Sequence, residues 1–208
     1  VEGPDIYLEN TFAEIADLCK WRYMTRLSDY VELYEGPEIW DFLQTVWDTM
    51  KASIDAGLST TGILPGGLGC LAGVILFGVW KGFLLDQQRS GEAAPLRECR
   101  IISAYAYAVA EQNADNGTIV TAPTCGACGV LPAVLQYFQE TQHADDSVIL
   151  KGLATAGIIG SVTKRNASIS GAECGCQAEI GTACAMAAAA LAELYGLTLD
   201  QVEYAAEI

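Results

Sequence analysis

Apolar residues recur every three to four positions along most of this chain, a spacing that belongs to helices rather than to strands. Over 38–56 they form one face of an amphipathic helix, and Gly57 predicts its C-terminal cap. Strand-like alternation is nearly absent, so the expected fold class is all-α. Further helices are predicted over 70–86, 97–114, 130–140, 147–163, 178–195 and 199–208.

Glycine and alanine are frequent in these helices and allow close helix contact, which predicts a compact multi-helix bundle. Residues 1–36 are acidic and aromatic with the least regular pattern, and we expect them to form an N-terminal extension. Residues 37–208 are then one helical domain. Because Ile208 lies inside a predicted helix without a cap, we expect this domain to be truncated at its C-terminal end.

The net charge is −15, from 11 basic and 26 acidic residues, with no basic cluster. This charge disfavours nucleic acid and anionic membrane surfaces as partners. The first ten residues do not resemble a secretory signal. The apolar run 68–85 is interrupted by Lys81 and several glycines, which favours a buried helix over a membrane span. Eight cysteines in so apolar a chain indicate reduced thiols in a cytoplasmic protein.

Two loops rich in glycine and hydroxyl residues open into helices and are the candidate binding sites. The first is 121–129 (TAPTCGACG) and the second is 166–176 (NASISGAECGC). Unpaired N–H groups at a helix N-terminus attract anions such as a carboxylate. The alternative is that the hydroxyls only cap their own helices. The side chains that would bind a carboxylate are those of Thr121, Thr124, Ser168 and Ser170.

The thiols of these loops allow several interpretations. Cys125 and Cys128 form a C-x-x-C pair that suits zinc, an iron–sulfur centre or a dithiol, although no thioredoxin-like βαβ pattern surrounds it. Cys174, Cys176 and Cys184 suit either metal binding or the filling of small spaces in an Ala/Gly bundle.

Several common catalytic patterns are missing from the sequence. The single histidine, His143, lies in a polar segment, which argues against a Ser-His-Asp or Cys-His site. Neither a zinc-protease motif nor a phosphate-binding glycine loop occurs. Lys164 is a possible Schiff-base residue, but Arg165 beside it favours simple charge at a helix C-terminus.

Two long motifs, 121–134 (TAPTCGACGVLPAV) and 164–181 (KRNASISGAECGCQAEIG), resemble the α part of bacterial iron–sulfur L-serine dehydratases. The similarity continues at 183–190 (ACAMAAAA), and upstream at 62–68 (GILPGGL) and 107–113 (YAVAEQN). It extends from about residue 39 to residue 208.

The resemblance implies a helical lyase domain that deaminates L-serine to pyruvate and ammonia, a step in amino-acid degradation and gluconeogenesis. It implies a [4Fe–4S] cluster on three cysteines, with the open iron acting as a Lewis acid on the departing hydroxide. Cys176 matches one cluster ligand, and the other two are expected beyond Ile208. The cluster would then be incomplete or absent in this chain, which alone would be inactive.

The predicted site comprises substrate-binding residues and two candidate proton-handling carboxylates, Glu173 and Glu179, whose alternative role is helix capping. A homo-oligomer, or pairing with a β domain or subunit, is also implied. Cys125 and Cys174 replace the family's usual asparagine and valine, so cysteine or another serine analogue is an alternative substrate. A non-catalytic, cysteine-rich scaffold that binds a metal or a protein is the alternative function. The predicted substrate-binding residues are Thr121, Thr124, Asn166, Ser168, Ser170 and Gly171.

Overall fold

A computed structural model describes residues 6–65, 71–72 and 91–207. These residues form nine α-helices, a short 3₁₀ turn (Cys125–Ala127) and two two-residue strands. The helices are α1 (Phe12–Trp21), α2 (Leu27–Glu35), α3 (Ile39–Ser59), α4 (Ala94–Ala114), α5 (Val130–Gln142), α6 (Asp146–Asn166), α7 (Gly171–Cys174), α8 (Cys176–Leu194) and α9 (Leu199–Glu207). The prediction of an all-α, compact bundle is confirmed.

The structure contradicts one predicted helix at two of its residues and does not describe the others. Strands β1 (Gly62–Ile63) and β2 (Leu71–Ala72) pair antiparallel. For residues 71–72 the helix predicted over 70–86 is therefore wrong, and residues 70 and 73–86 lie outside the described residues. The apolar run 68–85 is likewise described only at residues 71–72.

The predicted cap at Gly57 is also wrong, because α3 continues through it to Ser59. A methyl group at Gly57 would overlap the backbone carbonyl of Ala108 in α4. The glycine therefore serves close contact between two helices and does not end one.

The centre of the bundle is the contact between α6 and α8. A methyl group at Gly152 would lie 3.0 Å from Leu194 Cδ1, and one at Gly160 would lie 3.0 Å from Met186 Sδ. Since the two contacts run in opposite directions along the chain, α6 and α8 are antiparallel. Small side chains make this contact tight, as the Gly/Ala content predicts.

Helices α1 and α2 contribute to the same core. Ile15, Cys19, Leu27 and Tyr30 are at most 2% exposed and belong to the cluster that contains α6 and α8. Thr11 caps α1 in a reciprocal capping box with Glu14. The acidic N-terminal segment thus packs on the bundle, while a domain boundary after residue 36 stays a prediction.

A second, smaller core positions the 121–129 loop. It joins α3, α4 and α5 through Ile54, Tyr105, Val109 and Ala133, and Cys128 of the loop packs in the same cluster. Just before α5, a methyl group at Gly129 would overlap the carbonyl of Ala106. The loop is therefore held against α4 by backbone proximity. Among the helices described, none has the length and hydropathy required to cross a bilayer.

Candidate functional site

The two predicted loops meet at the carboxylate of Glu179. A methyl group at Gly126 would lie 2.9 Å from Glu179 Oε2, and one at Gly171 would lie 2.6 Å from the same oxygen. Glu179 therefore fills the space between the first loop and the start of α7. The prediction that loops 121–129 and 166–176 are neighbours is confirmed.

Cys176 lies close to this junction, as the sequence predicts. It is the first residue of α8, and Glu179 follows three positions later. Residues at this spacing share one helix face, so the thiol and the carboxylate point to the same side. Gly175 has a φ of 80°, which lets the chain turn sharply between α7 and α8. Cys176 is exposed to solvent.

A buried hydroxyl lies beside the junction. Within the described parts of the chain, Thr124 Oγ1 is buried and has no hydrogen-bond partner. Its side chain does not cap the 3₁₀ turn that follows, and Ser170 does not cap α7. For these two residues the capping interpretation is wrong. An unpaired buried hydroxyl costs about 1–3 kcal/mol, which a bound polar group would recover.

The second loop has its own hydrogen-bond network. The Ser168 hydroxyl donates to Glu173 Oε2 at 2.5 Å, and the Ser170 N–H donates to Ser168 Oγ at 3.1 Å. Ser168 and Ser170 are half-buried, whereas Glu173 is exposed. The two predicted carboxylates thus differ, because Glu173 bonds within its own loop and Glu179 contacts both loops.

Two predicted substrate-binding residues do not join this cluster. The Asn166 amide donates to the carbonyls of Asn10 at 2.6 Å and Val162 at 3.0 Å, so it anchors the N-terminal segment. Arg165 beside it also binds that segment, through the carbonyl of Glu9 at 2.9 Å. Thr121 is exposed at the start of the first loop.

The prediction missed two residues of the junction. The Asn113 amide donates to the carbonyl of Cys125 at 3.2 Å and ties the first loop to α4. Gly126 provides the space that Glu179 occupies. The motif 107–113 ends at Asn113, but a motif alone does not say which backbone group an amide contacts.

Comparison with known sequences assigns the family. The sequence model for the serine dehydratase alpha chain matches residues 13–208. The chain belongs to the serine dehydratase alpha chain family. Both loops and Glu179 lie inside the matched region.

Relatives within this family are similar over most of the chain. L-serine dehydratase 2 of Escherichia coli is 40% identical over 205 residues, covering 95% of this chain and 44% of that protein. L-serine dehydratase of Haemophilus influenzae is 46% identical over 167 residues, covering 80% of this chain and 36% of that protein. The chain spans less than half the length of these serine dehydratases.

Of the thiols near the junction, that of Cys176 is the candidate metal ligand. Cys176 is exposed at the start of a 19-residue helix, where its sulfur is accessible to a metal. Within that region no group of three or more Cys, His, Asp or Glu side chains is arranged to hold a metal ion. The described residues can thus provide one candidate ligand, Cys176, and not a complete metal site.

Proposed function

We propose that this chain forms the serine-binding part of an L-serine dehydratase, a lyase that converts L-serine to pyruvate and ammonia. Family membership and the names of the relatives support this reaction class. The observation that carries the proposal is the convergence of both loops on Glu179. A carboxylate, an unpaired hydroxyl and an exposed thiol near one junction suit an amino-acid substrate.

The substrate carboxylate would bind at the loops. The unpaired hydroxyl of Thr124 supplies a donor, and the N-terminal turn of α8 adds positive potential. Ser168 and Ser170 place further hydroxyls near Gly171. Asn166 and Thr121 contribute less to substrate binding in this proposal. The Asn166 amide is hydrogen-bonded to the N-terminal segment, and Thr121 is exposed at the start of its loop.

Glu179 is the better candidate for removing the α-proton of serine. It is half-buried and contacts both loops, so a substrate held between them would meet its oxygens. Glu173 instead accepts a hydrogen bond from Ser168 and would orient that hydroxyl. A positioned general base contributes about 10²–10⁴-fold to a rate.

A [4Fe–4S] cluster would be the cofactor, with Cys176 as one of its ligands. When bound, such a cluster supplies a Lewis acid that stabilises the departing hydroxide of serine. Binding of the carboxylate and removal of the α-proton fall to the chain's own residues.

The test uses the complete gene product, reconstituted without oxygen in the presence of iron and sulfide. We expect pyruvate from L-serine, and loss of both bound iron and turnover in Cys176→Ala. The matched control is Cys99→Ser, since Cys99 is also exposed but lies on α4, outside the two loops. Turnover without iron would overturn the assignment of an iron–sulfur cluster as the cofactor. Turnover of L-cysteine but not of L-serine would overturn the assignment of the substrate. Iron-free protein that binds zinc without turnover would support the scaffold alternative.

A further inference from the structure

Two cysteines of the first loop lie one turn apart and have no role in the proposed reaction. Cys125 begins the 3₁₀ turn and Cys128 follows its last residue. The Cys128 N–H donates to the Cys125 carbonyl at 3.3 Å, which closes the turn between them. Both thiols are free in the structure.

The turn brings these two side chains together. In a 3₁₀ helix, residues three positions apart eclipse each other, and a rise of about 2 Å per residue separates their Cα atoms by roughly 6 Å. Disulfides usually join Cα atoms about 4.4–6.8 Å apart. The backbone of this turn therefore needs little movement to accept a disulfide.

Solvent exposure distinguishes the two thiols. Cys125 is exposed, whereas Cys128 is 1% exposed and packs in the smaller core. A small disulfide from solution can reach the first sulfur but not the second. Cys125, one turn away, is then the accessible partner of the buried Cys128 thiol.

We propose that Cys125 and Cys128 form a reversible disulfide by exchange with a low-molecular-weight disulfide such as oxidised glutathione. The Cys125 thiolate attacks the reagent, whose S–S bond breaks and releases one thiol. Cys128 then loses its proton and attacks the mixed disulfide at Cys125, releasing the second thiol. The protein is oxidised by two electrons and the reagent is reduced by two electrons, so both thiol protons are accounted for in the products.

The position of the pair connects it to the candidate site. Gly126, between the two cysteines, is the residue that faces Glu179. Thr124, with its unpaired hydroxyl, immediately precedes the pair. A bond across this turn would fix the backbone that approaches the carboxylate. The disulfide does not depend on serine turnover.

Burial makes closure of this disulfide slow at neutral pH. Desolvation, and then the nearby Cys125, raise the pKa of the Cys128 thiol to about 11. The attacking species is the thiolate, whose fraction increases about tenfold per pH unit below its pKa. Closure of the mixed disulfide should therefore accelerate about tenfold per pH unit between pH 7 and 9.

The experiment treats the complete gene product, free of metal and oxygen, with oxidised glutathione, and then maps its peptides by mass spectrometry. We expect a peptide carrying a Cys125–Cys128 disulfide that dithiothreitol returns to two thiols. In Cys128→Ala, glutathione should remain attached to Cys125. In Cys125→Ser, Cys128 should stay unmodified, and the control Cys99→Ser should form the disulfide like the parent.

Three outcomes would overturn the proposal. They are glutathione remaining on Cys125 in the parent protein at pH 9, where closure is fastest, a disulfide from Cys125 to Cys174 or Cys176, and no reaction at Cys125. Because the readout is a peptide mass, it holds whether or not the protein deaminates serine. A failure of the proposed lyase activity would leave the mapped disulfide unchanged.

Discussion

The two halves of helix α8 have opposite environments. Residues 176–181 are exposed or half-buried and carry Cys176 and Glu179, whereas most positions of 182–193 are buried. Ala183, Ala189 and Ala190 have no exposed surface. The buried half packs on α6 and fixes the direction of the exposed half. The reactive groups of the exposed half are thus positioned by a rigid helix that is stabilised by the packing of its buried half on α6.

The largest expected effect is on catalysis, from a substitution in the exposed half of α8. Replacing Glu179 with Gln keeps the shape between Gly126 and Gly171 but removes the base. We expect kcat to fall by about 10²–10⁴-fold in the complete, cluster-loaded protein. Thermal unfolding should change little, because the carboxylate lies in the accessible half.

The control for that substitution is Glu203→Gln, which lies on α9, away from the two loops. Its kcat should equal that of the parent protein. If Glu179→Gln instead unfolds the protein while keeping its kcat per folded molecule, the distinction between the halves is wrong.

The buried half should respond to added volume. Ala190 has no exposed surface, and Ala190→Leu should lower the free energy of unfolding by about 1–3 kcal/mol through overpacking. Urea denaturation measures this change. Ala188 is half-buried in the same half, so Ala188→Leu should cost clearly less. Equal losses at the two positions would show that the packing of α8 does not discriminate between its faces.

The pH dependence of stability should reveal the buried carboxyl at the end of α8. The side chain of Glu193 is 1% exposed, accepts a hydrogen bond from Ser28 at 2.8 Å and lies 3.7 Å from Arg26. Burial raises its pKa, against the opposing effects of Ser28 and Arg26. The folded state then holds this proton more tightly than the unfolded state, so this group's contribution to stability decreases as the pH rises through the raised pKa.

Glu193→Gln removes that titration. As the pH is raised from about 4 to 8, the unfolding free energy of the variant minus that of the parent should increase. The increase should be about 1.4 kcal/mol for each unit by which folding raises the pKa of Glu193. Asp146→Asn is the control of opposite sign, because the hydrogen bond from Lys51 holds the pKa of Asp146 well below its usual range. Its stability loss should be greatest at neutral pH and shrink in acid. A constant difference for Glu193→Gln would contradict the assignment.

The smallest expected effect lies in the exposed half. Gly181 has no atom within 4 Å of an added methyl group, so Gly181→Ala should raise the unfolding free energy by about 0.5–1 kcal/mol through helix propensity. In α6, a methyl at Gly160 would lie 3.0 Å from Met186 Sδ. Gly160→Ala should therefore gain less or lose stability, and chemical denaturation of both variants tests the difference.

Local patterns predicted much of this protein. The 3.6-residue apolar period located six of the nine described helices at least in part, namely α3, α4, α5, α6, α8 and α9, because each of these buries one continuous face. Helices α1 and α2 were not predicted, since their aromatic residues follow no clear period, and α7 lies inside the segment predicted as the second loop. Glycine and hydroxyl residues before helices located both loops, and a shared motif identified the family.

Contacts between distant parts of the chain decided the rest. The backbone of Ala108 determines that Gly57 lies inside a helix, and pairing with Gly62–Ile63 makes residues 71–72 a strand. Only tertiary packing shows that Glu179 reaches both loops while Asn166 turns to the N-terminal segment. The sequence by itself determined most of the helical segments and which residues carry reactive groups, since these follow from local spacing. Which groups meet depends on how closely backbones approach, and that is a property of the folded bundle.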